Sequence, residues 1–559
     1  MKNKKQSIII GGLISSAGIF ISKLLGLLYV IPLNAIAGAD NMQYYGFAYE
    51  IYSYILNVSI AGIPYAIATL VAKYSNIGDY RTTLVIKRIA QGLMVALGFI
   101  GMSFLILFAT PLASIVLGVN SSPESLQITR NVIVLISFAL FFVPVLSAFR
   151  GFYQGLKKME IYAFSQVLEQ LSRVMFLLGA GAIAVYVFKQ DRIWAVYFAV
   201  FSTSVAAICA LVHIFIFDKK NMPEIKRLAN EQEVYSVDDH KLLFKELVRI
   251  AIPYLLVAIV GFSNNMIDWL FYTKALEATG VAADLCNYIF GSIISVQVNK
   301  VTSIPQILAP GFSISIIPYI TVSVIDRKWK ELRRHVYDCV DSVLYLAIPL
   351  SFCLLFFSRP IMYLLYGESL VTYPGAGNVM LITSSLELGG VLLKWHTIDA
   401  LFGTLTPIFT SLLMAVGLRK QNFINLIIGA AVKLVFEIPC IHFFGMQGAS
   451  ISNLLSMLTI ILLDAYFLKR NYKVQWKYTI RKMVLMMLGV AGMALLCLVF
   501  NFIGFNAVGH GRLLCVLILG IQGLLSVGAY LAITAFLQLP QTIFKIDINK
   551  MMKRLVRRG

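Results

Sequence analysis

A few charged side chains stand inside stretches too apolar to solvate them. Lys23 and Lys300 lie in apolar runs with no acidic residue three or four positions away. An ammonium in that setting costs about 2.5–3.5 kcal/mol on the insertion scale, so it must face water or an anion. Both lysines are therefore predicted to line a hydrated cavity and to hold a negatively charged group. Glu169 and Arg173 are four residues apart, as are Lys433 and Glu437, and each pair shares one helix face. The first reading of each is a self-satisfied ion pair. Arg173 and Lys433 also qualify as cationic lining of a wet cavity, and Glu169 and Glu437 as charge partners or ion-coupling groups. Asp268, near one end of its apolar run, is a candidate to neutralise a lysine or bind a coupling cation.

Other chemistry is missing from the sequence. The six histidines are dispersed without HExxH or similar spacing, and the seven cysteines are single, with no CxxC pair. Neither a metal site nor a disulfide frame is expected. There is no Walker A loop and no GxSxG element, so no cofactor and no catalytic residue is predicted. Energy would have to come from the membrane potential, an ion gradient or the substrate's own chemistry.

The elements that position these charges must be membrane helices. The 559 residues are 59% hydrophobic and 13% charged, with a mean hydropathy of +0.81. Soluble domains carry about one quarter charged residues, so a water-soluble multidomain enzyme is excluded, and so is a disordered chain. The net charge of +20 would suggest nucleic acid in a soluble protein. Here it is read as basic loops facing anionic membrane lipids, with no nucleic-acid partner.

About 20 apolar residues span a bilayer. On that measure the chain reads as all-α and polytopic, with fourteen transmembrane spans at about 7–33, 44–72, 85–110, 130–150, 160–187, 193–217, 249–273, 298–325, 338–358, 392–416, 421–444, 446–468, 482–503 and 512–538. The moderately apolar segments 274–297 and 369–391 are left as lengthened helices or outer-surface segments. Charge counting supports this layout. Of the 47 Lys and Arg, 36 fall on the side shared by both termini, seven on the other and four within spans. The positive-inside rule puts both termini in the cytoplasm of a multi-pass plasma-membrane protein.

Three short motifs recur in order. Ile63-Pro64-Tyr65 returns as Ile317-Pro318-Tyr319, Pro111 with Gly118 as Pro360 with Gly367, and Gly155-Leu156-Lys157-Lys158 as Gly417-Leu418-Arg419-Lys420. The offsets are 254, 249 and 262 residues, and the growth falls in 368–391. This predicts two pseudo-symmetric six-helix lobes in parallel repeat, 1–217 and 249–468. A cytoplasmic linker at 218–248 joins them, and 469–559 adds two C-terminal helices and a basic cytoplasmic tail. Arg150 ends the fourth span at the cytoplasmic surface, in the turn Phe149-Arg150-Gly151-Phe152-Tyr153-Gln154-Gly155, where a close-packed turn with a lipid-headgroup contact explains it as well as a transport role does. Asp464 is read as an interface residue. The aromatic start of the second span (Tyr44, Tyr45, Phe47, Tyr49, Tyr52, Tyr54) is read first as an interfacial belt, with stacking on sugar faces as the alternative.

The stretch Ile21-Ser22-Lys23-Leu24-Leu25-Gly26, with Gly38, is similar to the serine-basic-x-x-glycine signature of the MurJ-type lipid II flippases. Lys300 with Pro305 and Pro318 resembles that family's basic-x4-Pro element. The Arg150–Gly155 turn and the fourteen-helix plan resemble the broader polysaccharide biosynthesis proteins. These include stage V sporulation protein B and belong to the multidrug/oligosaccharidyl-lipid/polysaccharide exporter superfamily. The resemblance implies outward flipping of an undecaprenyl-pyrophosphate-linked sugar precursor, lipid II first, by alternating access through a cationic cavity between the lobes. It implies roles in peptidoglycan and cell-wall biogenesis, with cell-wall synthesis proteins as candidate partners. Two family arginines fall on Lys23 and Lys300, which keep the charge but lose the bidentate fork. Two further basic positions fall on Tyr29 and Asn57. A cation-coupled multidrug exporter of the same superfamily is the alternative; it would want acids where the lone charges here are mainly basic. A membrane-embedded glycosyltransferase would need carboxylates on a large outer loop, and the loops are short.

Overall fold

The computed structural model describes residues 25–26, 29–60, 62–156, 158–232, 239–306, 319–320, 323–324, 326–374 and 380–544. Among these, nine helical stretches are long and apolar enough to cross a membrane. Their burial in the protein varies, from 67% of the apolar window in Pro123–Gly155 and Trp329–Phe356 to far less in others. In Glu160–Val187 only 17% of the apolar window is buried, so lipid must cover the remainder. The chain is a polytopic, essentially all-α membrane protein.

Its contacts gather into two compact units, Met1–Val296 and Gln297–Gly559. The repeat read from the sequence would divide the chain at 218–248, but the segment from His240 to Val296 compacts with the first unit.

The first unit contains α1 (Val30–Ala37), α2 (Met42–Ile60), α3 (Ile63–Asn76), α4 (Tyr80–Leu107), α5 (Ala109–Val116), α6 (Pro123–Ser137), α7 (Ala139–Gly155), α8 (Met159–Ala182), α9 (Ile193–Glu231), α10 (His240–Gly261), α11 (Ser263–Glu277) and α12 (Ala283–Asn287). Several predicted spans are broken helices. The 44–72 run splits into α2 and α3 at Gly62, whose φ of +75° is easy only for glycine. The 249–273 run splits at Phe262 into α10 and α11. Most of the expected linker is also helical, since α9 runs on to Glu231 and α10 begins at His240 with an Asp239 cap. The segment 274–297 is mostly helical and ends in a wide π-helical stretch, Tyr288–Val298, that leads toward Lys300.

The apolar core of this unit lies among α3, α4, α7, α9 and α10. At the charge-rich ends of these helices polar contacts take over. Lys87 Nζ meets Asp218 at 2.5 Å and lies over the Phe149 and Phe152 rings, while Tyr153 donates to the same carboxylate at 2.7 Å. Lys73 pairs with Glu246 at 2.7 Å, and that hydrogen bond raises the lysine above its ordinary pKa.

The second unit contains α13 (Asn299–Gln306), α14 (Trp329–Phe356), α15 (Ser358–Tyr366), α16 (Ser385–Ala415), α17 (Arg419–Phe444), α18 (Gly448–Tyr472), α19 (Lys477–Phe502), α20 (Arg512–Phe536) and α21 (Leu539–Phe544). The 369–391 segment departs from the all-α expectation. It forms an antiparallel hairpin of β1 (Leu370–Pro374) and β2 (Met380–Ser384), with Leu370 opposite Ser384 and Thr372 opposite Ile382. The core gathers α14, α16, α18, α19, α20 and α21. Lys482 of α19 reaches the buried Asp341 of α14 at 2.6 Å, and Tyr345 of α14 bonds Thr534 of α20 at 2.8 Å. The last two long helices thus contribute residues to this unit's core.

Two pairs of consecutive helices match in length. The 28-residue α4 is followed by the short α5, and the 28-residue α14 by the short α15. Their joints are alike, with Phe108 at φ −99°, ψ 12° and Phe357 at φ −105°, ψ 21°. The third motif is less regular. Gly155 is helical and packs against Val71 of α3, whereas Gly417 takes a turn at φ +88°.

Candidate functional site

The charged residues singled out by sequence fall into separate groups. In the first unit, Arg173 and Glu169 of α8 form the expected pair, with Nη2 to Oε1 at 3.3 Å. The pair is not self-contained. Arg150 of α7 places Nη2 2.9 Å from Glu169 Oε2 and also donates to Ser165 at 2.9 and 3.1 Å. One carboxylate therefore serves two guanidinium groups, each oxygen taking one. The three side chains are only 11–16% exposed. Arg150 is turned into the unit and is not the headgroup contact read from the sequence.

Tyr45, Tyr49 and Tyr52 of α2 lie near this group. Tyr44, Tyr45, Phe47 and Tyr52 are buried in the first unit, which overturns the interfacial-belt reading. Tyr45 and Tyr29 share a 2.7 Å hydrogen bond between hydroxyls, and Tyr45 stacks on Tyr49. Tyr29, Tyr49 and Tyr52 lie within electrostatic range of Arg173. Aromatic residues at helical spacing look alike in sequence whether they face lipid or protein.

In the second unit, Lys433 and Glu437 of α17 also pair, at 2.7 Å and with no exposure of either side chain. The Lys433 ammonium donates further to Ser452 Oγ at 2.9 Å and to the Ala449 carbonyl at 3.3 Å, and Ser452 donates to Glu437. So enclosed, the Lys433 side chain exposes no surface in this arrangement. Beside it lies a cluster absent from the sequence reading. Asp399 of α16 accepts from Ser450 at 3.1 Å and lies 3.9 Å from His396, whose Nδ1 meets the Leu392 carbonyl at 2.9 Å. Asp464, expected at an interface, is fully buried and accepts from Asn425 at 2.7 Å.

Lys300 opens α13 and is half-buried; Asp268 is half-buried on α11; both engage neighbouring groups. Lys23 lies outside the described residues. Among the described residues no three His, Cys, Asp or Glu side chains are grouped to hold a metal.

A family model for polysaccharide biosynthesis protein matches residues 9–324, more than half of the chain. The chain belongs to the polysaccharide biosynthesis protein family. This family member is 30% identical over 480 residues to the lipid II flippase MurJ of Bacillus subtilis (strain 168), covering 85% of each chain. It is 23% identical to stage V sporulation protein B of the same organism, covering 82% of this chain and 83% of that one. Among solved structures it superposes on lipid II flippase MurJ in an inward closed conformation with a TM-score of 0.60, at 14% identity and over 94% and 98% of the two chains. An inward-facing MATE family transporter of the MOP superfamily matches with a TM-score of 0.61, at 13% identity and over 82% and 96%. The family member is thus a multi-pass membrane transporter of the flippase and exporter class, not an enzyme.

Proposed function

We propose that this protein is a flippase that carries an undecaprenyl-pyrophosphate-linked sugar precursor, lipid II in the first place, from the inner to the outer leaflet by alternating access. The observation that carries the reading is similarity to the Bacillus subtilis lipid II flippase along 85% of both chains. The chemistry is consistent with it. A diphosphate head cannot cross hydrocarbon unaided, while its lipid tail needs no protein path. Cationic groups within membrane helices supply the counter-charge, with Lys23, Lys300 and Arg173 as the proposed contacts. Lysine ammonium groups act as movable point charges that hold phosphate in one state and release it in the other. The fully enclosed Lys433–Glu437 pair exposes no side-chain surface and is left out of the proposed phosphate contacts. Placement in the plasma membrane with both termini cytoplasmic follows from the lysine and arginine bias.

The test replaces the only lipid II flippase of a depletable bacterium with this gene and measures precursor exposed on the outer surface. Growth with normal exposure is expected, and its loss when Lys23 and Lys300 are both changed to Ala while membrane levels hold. Undiminished exposure in that double variant overturns the proposed contacts. Absence of exposed precursor with the unmutated gene, alongside raised drug resistance on overexpression, would favour a multidrug exporter.

A further inference from the structure

We infer that Arg150 and Arg173 form a two-guanidinium clamp for a phosphate or diphosphate group, and that Glu169 is the internal anion the ligand displaces. The inference deepens the proposed function and rests on it for the identity of the cargo. Two arginines on one carboxylate leave a net charge of +1 in a membrane-embedded site whose side chains are 11–16% exposed. One carboxylate cannot use all the donors of two guanidinium forks. Arg173 Nε is buried without a hydrogen-bond partner among the described residues, and so is Nε2 of Gln170, its neighbour on α8. Buried donors left this way cost stability unless something occupies them.

The unpartnered Gln170 amide lies beside Gly26. A Cβ at Gly26 would come within 3.4 Å of Gln170 Nε2, and Gly26 follows Lys23 by three residues in sequence. The clamp also answers a chemical deficit. Lysine at 23 and 300 supplies charge without a planar fork, and arginine supplies the fork that phosphate oxygens accept in pairs. Glu169 presents the same kind of paired oxygens. It holds both guanidinium groups in place when no ligand is present, and it takes them back when the ligand leaves.

The experiment uses the full chain in lipid nanodiscs, titrated with inorganic pyrophosphate and separately with undecaprenyl pyrophosphate. E169Q keeps the shape but removes the competing charge, and should bind either probe about tenfold tighter. R150K keeps the charge but removes the fork, and should bind about tenfold weaker. Thermal unfolding of both variants establishes that they are folded. If R150K is not folded, E169Q decides alone. Unchanged affinity in folded E169Q overturns the clamp. Tightening with the lipid-borne probe alone upholds it and assigns the ligand to the membrane. Lipid II translocation by the unmutated protein is measured in parallel. Translocation with unchanged E169Q affinity removes the clamp and leaves the flippase reading. Tightening without translocation keeps the clamp and removes lipid II as cargo.

Discussion

Lys433 and Glu437 illustrate what burial does to a single charge. Each neutralises the other without any exposure, so removing one strands the other in a medium that cannot solvate it. K433A should therefore lose roughly 3–5 kcal/mol of stability, while the double change to Leu at both positions should recover most of that loss. Thermal unfolding in detergent, followed by size-exclusion chromatography, measures both. Equal damage from single and double changes would show that the pair is not the stabilising unit. The pair was legible in sequence because its partners are four residues apart on one helix. Arg150 was not, because its carboxylate sits nineteen residues away on the next helix and only packing joins them. Asp399 and Asp341 were within reach of the same rule that singles out Lys23, being charges inside apolar runs.

At the scale of elements, α2 and the π-helical stretch Tyr288–Val298 cross at two glycines. A Cβ at Gly46 would fall 1.9 Å from the Gly291 carbonyl oxygen, and one at Gly291 2.7 Å from that of Gln43. Neither obstacle is a flexible side chain. G46A is expected to push the two elements apart and cost about 1–3 kcal/mol, with precursor exposure falling because the displaced segment runs into Lys300. Thermal unfolding and the exposure assay check the two consequences, and a G46A protein equal to the unmutated one in both refutes the crossing. Hydropathy found where these helices lie but not where they break. Gly62, Phe138 and Phe262 interrupt runs whose composition is continuous. The β-hairpin escaped for the opposite reason, since ten strand residues between two helices have too little alternation to stand out.

For the whole molecule, the charge asymmetry of the loops carries the proposed orientation. In a variant cleared of its seven native cysteines, E331C should react with an impermeant thiol reagent only after the cells are opened. H510C should react in intact cells. The reverse pattern would invert the protein and, with it, the direction of transport. Fold class and family were readable from the whole chain because hydropathy and charge bias sum over hundreds of residues. The compact units were not. The repeat read from the sequence groups 249–296 with the second lobe, whereas contacts gather it into the first unit.

The Lys482–Asp341 bridge bears on how far the chain can be shortened. Asp341 is buried, and one of its oxygens already lacks a partner. A polypeptide ending at Tyr472 would leave that buried carboxylate without its lysine and remove the helix whose Tyr530 donates to the Tyr345 carbonyl. The two final helices are therefore not an appendix to a self-sufficient core; trimming them would unravel the unit to which they are attached.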